Sequence, residues 1–256
     1  MKITFLGTGT SNGVPVIGCQ CEVCSSWDYR DKRLRSSVMI EHEGGTVVID
    51  AGPDFRQQML RVEATRLDAV VITHGHKDHI GGMDDLRAFN YLNRAPMTVW
   101  SAEEVQTDIR RDFFYAFSDA KYPGVPDMNL MTIHGEPFVA GGLTFIPIPV
   151  MHHLLPVFGF RVGKMAYITD CNFIPESSFS LLEGVEVFIV NALRIKPHVS
   201  HFGLDQALEA IARVAPREAW LTHISHGLGV HADVALTLPN GVQLAWDGLT
   251  LDVSQE

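Results

Sequence analysis

Short apolar runs punctuate the chain, at 3–6, 38–40, 47–49, 70–72 and 97–100, then at 143–148, 158–162, 166–168, 187–190, 219–221, 242–245 and 249–253. Their length predicts strands. Between them the apolar spacing turns helical. Phe55, Met59 and Val62 share one face of 54–62, and Leu204, Ala207, Leu208, Ile211 and Val214 share one face of 204–214. Asp54 and Leu204-Asp205 begin these helices, and Pro216 stops the second. Early strands pair as hairpins, two of them linked by Glu43-Gly44-Gly45, whereas later strands alternate with helices. This order predicts an α/β (α+β) chain, one domain over 1–256, in which two mixed sheets face each other with helices outside. Segment 113–128, with Tyr115, Phe117, Tyr122, Pro123 and Pro126, breaks the pattern. It reads as a loop over a pocket or as a packed surface connection.

Composition narrows the function classes. Of 256 residues, 46% are apolar, ample for a full core. No run of 18 apolar residues exists, so no membrane span is expected. The opening residues 1–6 lead straight into a strand without a signal-peptide core, which makes the cytoplasm the default expectation. A net charge of −10 disfavours long-range attraction of nucleic acid.

The chemistry concentrates after the run 67–72. Thr73-His74-Gly75-His76-Lys77-Asp78-His79 carries four metal-ligand side chains within six residues, in the order His-x-His-x-Asp-His. Imidazole with carboxylate suits zinc, manganese or iron better than calcium or magnesium. Four ligands this close exceed the needs of one ion, which suggests two metals sharing a site. Further candidates each follow an apolar strand: His152-His153, Asp170 and His223. A separate set, Cys19, Cys21 and Cys24, has metal-ligand rather than disulfide spacing.

This series resembles the metallo-β-lactamase superfamily over nearly the whole length, including Val48-Ile49-Asp50-Ala51-Gly52. The resemblance implies a four-layer αβ/βα sandwich. It implies that His74, His76, His153 and Asp170 hold one divalent ion, zinc or manganese. Asp78, His79, Asp170 and His223 would hold a second, with Asp170 bridging and Asp50 supporting the ligands. His152 rivals His153. The family places this ligand six residues before a Gly-aromatic pair, here Gly159-Phe160, which selects His153.

Asp170 argues against the β-lactamases, which often carry cysteine there; Cys171 is one residue off and would point away. The cysteine trio, with His226 three residues beyond His223, resembles the PhnP-type phosphodiesterases, which implies a structural zinc on Cys19, Cys21, Cys24 and His226. In that branch a histidine matching His201 lies beside the metals and assists the leaving group. His42, His134, His198 and His231 read as surface or packing residues. Arg87 could meet a phosphate, but an ion pair within its helix is the simpler role. The implied partner is a small phosphodiester, a cyclic ribose phosphate among the options, in an enzyme whose relatives are commonly homodimers. The catalytic residues would be His201 and Asp78. The alternatives are a ribonuclease Z-like tRNA processing enzyme, a glyoxalase-type thioester hydrolase and a non-catalytic scaffold. The first wants a basic arm that this chain lacks, and the last wants lost ligands, whereas every position here is filled.

Overall fold

The computed structural model describes residues 1–120 and 122–254. Its strands form two seven-stranded sheets. The first contains β1 (Lys2–Gly7), β2 (Ser37–His42), β3 (Gly45–Ile49), β4 (Ala69–Val71), β5 (Met97–Ser101) and β6 (Met128–Thr132). The second contains β7 (Phe138–Ala140), β8 (Leu143–His152), β9 (Leu155–Val162), β10 (Met165–Ile168), β11 (Val187–Asn191), β12 (Glu218–Thr222) and β13 (Val242–Leu244). The last strand, β14 (Thr250–Asp252), returns to pair with β1. Each sheet is antiparallel at one end and parallel at the other, through β3-β4-β5-β6 and β10-β11-β12-β13.

The apolar runs are nearly unbroken because both faces of these strands are covered. In β3, Val47 and Ile49 enter the core between the sheets, with Phe5, Phe145, Phe160, Tyr167 and Trp220. Val48, pointing the other way, packs with Phe55, Met59, Phe89 and Ile109 from the outer helices. The second sheet repeats this: Tyr167 and Ile189 face inward, while Ile168, Phe188 and Leu221 meet Ala207 and Ile211 of the helix Leu204–Val214. The four-layer sandwich expected from the resemblance is the observed architecture.

Two strands escaped the pattern. β6 carries polar Asn129 and Thr132, and β7 has only three residues. β8 runs to His152 despite Pro147 and Pro149. Short β7 pairs only with residues 143–145, so beyond that point β8 has one neighbour and its prolines need no ladder donor there. Within 113–128, Phe113 and Ala116 join the outer core, and the Asn90 amide exchanges two 2.9 Å hydrogen bonds with the Asp127 backbone. The two ends of that segment are thus packed, while 118–120 and 122–123 are exposed; its Lys121 lies outside the described residues. Arg87 pairs with Asp84 at 2.5 Å, three residues earlier. Among the described residues, no helix is long and apolar enough to cross a membrane.

A buried cation ties the N-terminal loop to the end of the chain. Arg33 Nη1 donates to Thr8 Oγ1 and to the Ala245 carbonyl, and Nη2 donates to His231 Nδ1 at 3.1 Å. A guanidinium only donates, so Nδ1 of His231 must hold a lone pair. Burial, and then the charges of Arg33 and Arg30, push the His231 pKa down to about 4, from an ordinary value of 6.5. The unfolded chain takes up a proton near pH 6.5 that the native ring refuses until about pH 4. Stability present above pH 6.5 is therefore lost as pH falls through this window. His231→Asn, which keeps an acceptor for Arg33, should flatten the decline in urea midpoint between pH 6.5 and 4. An unchanged slope in the variant would show that His231 does not drive it.

Candidate metal centre

Parallel strands direct their C-terminal ends to one edge of the sandwich, and the candidate ligands lie there. Asp50 follows β3, the 73–79 motif follows β4, Asp170 follows β10 and His223 follows β12. Asp50, Asp170 and His223 leave their strands with φ of 65°, 51° and 53°. This left-handed backbone is uncommon for residues with a Cβ and is concentrated at functional sites. Gly75, between the two motif histidines, admits a close neighbour: a Cβ there would collide with Asp108 Oδ2. His76 stands just before the short helix Lys77–Ile80, which carries Asp78 and His79.

The side chains gather into clusters whose potential ligand atoms lie within 4.8 Å of one another. One contains His74, His76 and His152, and another contains Asp78, His79, Asp170 and His223. A third, His152 with Asp170 and His201, joins the first two. Asp170 belongs to the second and third of these clusters and is linked to the first through His152. His201 Nε2 lies 2.9 Å from Asp170 Oδ1, and its ring stacks on His223 with centroids 4.9 Å apart.

The expectation for His153 needs correction. His152 is buried at the end of β8, while His153 is exposed and begins the turn into β9 with φ 57°. Side chains alternate along a strand. Val150 and Ile148 face the core, so the same face of β8 continues to His152. Counting by twos from Ile148 would have found it. The Gly-aromatic offset misses by one residue because it ignores where the hairpin turns. His198, read as a surface or packing residue, instead sits beside the cluster, with Nδ1 3.2 Å from His201 Nδ1.

Supporting contacts orient the rings. His152 Nδ1 lies 2.7 Å from the Ser200 carbonyl, which only accepts; the proton is therefore on Nδ1 and Nε2 keeps its lone pair. His79 Nδ1 likewise donates to Asp50 Oδ2 at 2.7 Å, leaving Nε2 toward the cluster. Asp50 is fully buried and also accepts from the Thr73 amide and hydroxyl, as expected of a ligand support.

Electrostatics show which ligands the cluster suits. Burial opposes ionisation of Asp170, but His223, His79 and His201 outweigh it and hold the carboxyl well below its usual range. Burial likewise opposes protonation of His79, yet Asp170, Asp50 and Asp78 raise its pKa well above the ordinary value. Burial pushes His74 down and takes His223 to about 4. His79 Nε2 and His223 Nε2 are buried without a hydrogen-bond partner, although His79 Nε2 is 3.2 Å from both Asp78 and Asp170. Orphaned imidazole nitrogens beside ionised carboxylates are the donor set of a divalent-cation site, so the residues present fit such ions.

A second centre lies where the N-terminal loop meets the segment after β12. Cys19, Cys21 and Cys24 place their Sγ atoms 3.3, 3.4 and 3.5 Å from His226 Nδ1. One ring nitrogen cannot satisfy three thiols. Tetrahedral zinc with ordinary Zn–S and Zn–N lengths has S···N edges of about 3.6 Å, so the packing matches a closed site. The Cys24 amide, more than the neighbouring thiols and His226, lowers the Cys21 pKa to about 6, whereas burial raises Cys24 to about 11. Cys171 is buried in the core beyond the sheet and takes no part in either centre.

Comparison with known proteins agrees with this geometry. A family model described as a beta-lactamase superfamily domain matches residues 46–224. A crystal structure described as a new diphosphatase from the PhnP family superposes with a TM-score of 0.93 at 39% identity, covering 99% of this chain and 98% of that one. Zinc-bound PqqB from Methylobacterium extorquens superposes at 0.79 with 20% identity, covering 99% and 100%, a likeness of fold. Among curated proteins, an octanoyltransferase from Porphyromonas gingivalis is 37% identical over 100% of this chain, which spans only about half, 52%, of that protein. The coenzyme PQQ synthesis protein B of Methylorubrum populi is 33% identical over 99% of this chain and 100% of its own length. The chain belongs to the beta-lactamase superfamily, as a metallo-β-lactamase-fold protein of the PhnP branch.

Proposed function

We propose that the protein is a metal-dependent hydrolase of small phosphodiesters. The observation that carries this reading is Asp170, shared between two ligand clusters and touched by His201. His74, His76 and His152 with Asp170 would hold one divalent ion; Asp78, His79, Asp170 and His223 would hold the other. Bound there, the ions would supply Lewis acidity and lower the pKa of water toward neutrality. The chain's own part is to place and charge the site. His152 Nδ1 donates to the Ser200 carbonyl and His79 Nδ1 to Asp50, which aims both Nε2 atoms at the site in fixed directions. Ionised Asp170 accepts from His201 Nε2, which keeps a proton on that atom beside the reacting centre. We assign His201 Nε2–H as the donor to the departing alkoxide, a role worth about 10² to 10⁴ in rate.

The PhnP-family relative described as a diphosphatase supports P–O bond chemistry at such a site. A cyclic ribose phosphate fits the reading as one substrate of this class. The acidic balance and the lack of a basic Gly/Pro-rich arm in the sequence speak against a tRNA substrate. The proposed partners are thus a small phosphodiester and a zinc in the cysteine cluster, with no membrane. The test compares esters. His201→Ala should lose about 10²-fold or more on an alkyl ester but much less on a nitrophenyl ester, because nitrophenolate departs without a proton. Equal losses would remove His201 from the acid role. Inertness of the metal-loaded protein toward bis-nitrophenyl phosphate and a cyclic nucleotide, with turnover of a thioester, would replace the reading itself.

A further inference from the structure

A cleft of about 580 Å³ opens beside the first ligand cluster, and His74 and His76 form part of its wall. Its other surfaces are mostly apolar. Val105 comes from the helix Glu103–Asp112, Pro149 from β8, and Leu155, Val157 and Phe158 from β9. Leu155 remains 42% exposed here, on a strand whose Val157 is buried. The ionisable side chains on this wall besides the histidines are Glu104 and Asp108, and both are acidic. Asp108 is paired with Arg111 at 2.9 Å on its own helix.

Nothing in the hydrolysis itself requires such a wall. A phosphoryl group needs cations and donors, whereas this surface offers carbon and carboxylates. We propose that the cleft is a subsite for an uncharged, apolar alkyl or aryl group ester-linked to the phosphorus, an assignment that rests on the phosphodiesterase reading above. Continuity with His74 and His76 places that group next to the reacting centre. The volume is that of an ordinary small-molecule site. Glu104 and Asp108 select against a second anionic group in the cleft, through like-charge repulsion and the cost of desolvating it.

The test is affinity rather than turnover. The full chain, loaded with manganese, is titrated calorimetrically with methyl-, propyl- and pentylphosphonate and with a carboxyalkylphosphonate of pentyl length. Affinity should rise about 2- to 4-fold per methylene, and the terminal carboxylate should cancel most of that gain. Leu155→Ser and Val105→Thr, each checked for an unchanged unfolding midpoint, should flatten the series while leaving methylphosphonate affinity within about twofold. Flat or undetectable binding across the series overturns the subsite, as does a slope unaltered in both variants. Hydrolysis of methyl nitrophenyl phosphate, measured on the same preparation, separates the two ideas. Turnover with a flat series removes the subsite alone. A steep series without turnover removes the phosphodiesterase reading and leaves an apolar binding cleft.

Discussion

Alanine at position 152 should strip the first ligand cluster, while alanine at 153 should change almost nothing. His152 is buried, converges with His74 and His76, and has its free nitrogen fixed by the Ser200 carbonyl. Removing a support of a metal ligand already costs about 10- to 100-fold in affinity, so His152→Ala should weaken retention of one ion by at least about 100-fold. Losing several kcal/mol of charge stabilisation corresponds to about 10³-fold or more in rate. His153 is exposed, and its main-chain N–H, not its ring, donates to Asn172 Oδ1. An exposed substitution is worth within about 0.5 kcal/mol, or about twofold. Atomic emission on gel-filtered protein reads metal content, and bis-nitrophenyl phosphate reads rate. Depletion by His153→Ala instead would mean that the hairpin register of β8 and β9 is wrong.

Cys24→Ser should cost both stability and activity, because one segment serves both centres. Thr222 ends β12, His223 joins Asp78, His79 and Asp170, and His226 faces the three thiols. Ile224 between them is stitched to the N-terminal loop, donating to the Thr8 carbonyl at 2.8 Å and accepting from the Thr10 amide at 3.1 Å. Structural zinc in small fingers supplies about 10–16 kcal/mol. This chain has large cores of its own, so only part of that would reach global stability. About 4 kcal/mol would lower the unfolding midpoint by about 10 °C. Zinc content should fall by one per chain, and activity should fall with the loosened His223. A variant with full metal content and an unshifted midpoint would reduce the cysteines to bystanders.

The contrast between these histidines shows what a sequence can carry. The motif 74–79 was legible because its ligands are neighbours in the chain, and local spacing decides which of them can share an ion. Asp170 and His223 were legible because parallel strands must end at one edge, so strand-end acids and imidazoles accumulate there. The two facing sheets were legible in the order of strands and helices, and the four-layer sandwich came with the family resemblance. His152 and His153 differ only in where a turn begins, and a shift of one residue in a strand reverses every side chain. The Ser200 carbonyl that orients His152 is main chain and leaves no mark on residue identity. His198 approaches His201 through an irregular loop, where no periodicity applies. β6 and β7 were lost because one has a polar face and the other has too few residues for alternation to register. The cleft beside His74 is assembled from the Glu103–Asp112 helix, β8 and β9, which are far apart in sequence.

Asp50, Asp170 and His223 turn out of their strands through backbone angles that an ordinary side chain resists. Each such turn costs about 1–2 kcal/mol, against a total of about 5–15 kcal/mol that holds a typical protein together. The molecule is therefore least robust where it is most reactive. Glycine at these corners would relieve the backbone, but at position 50 it would leave the buried donors of Thr73 and His79 without an acceptor, so the bent corner and the carboxylate it carries are kept together.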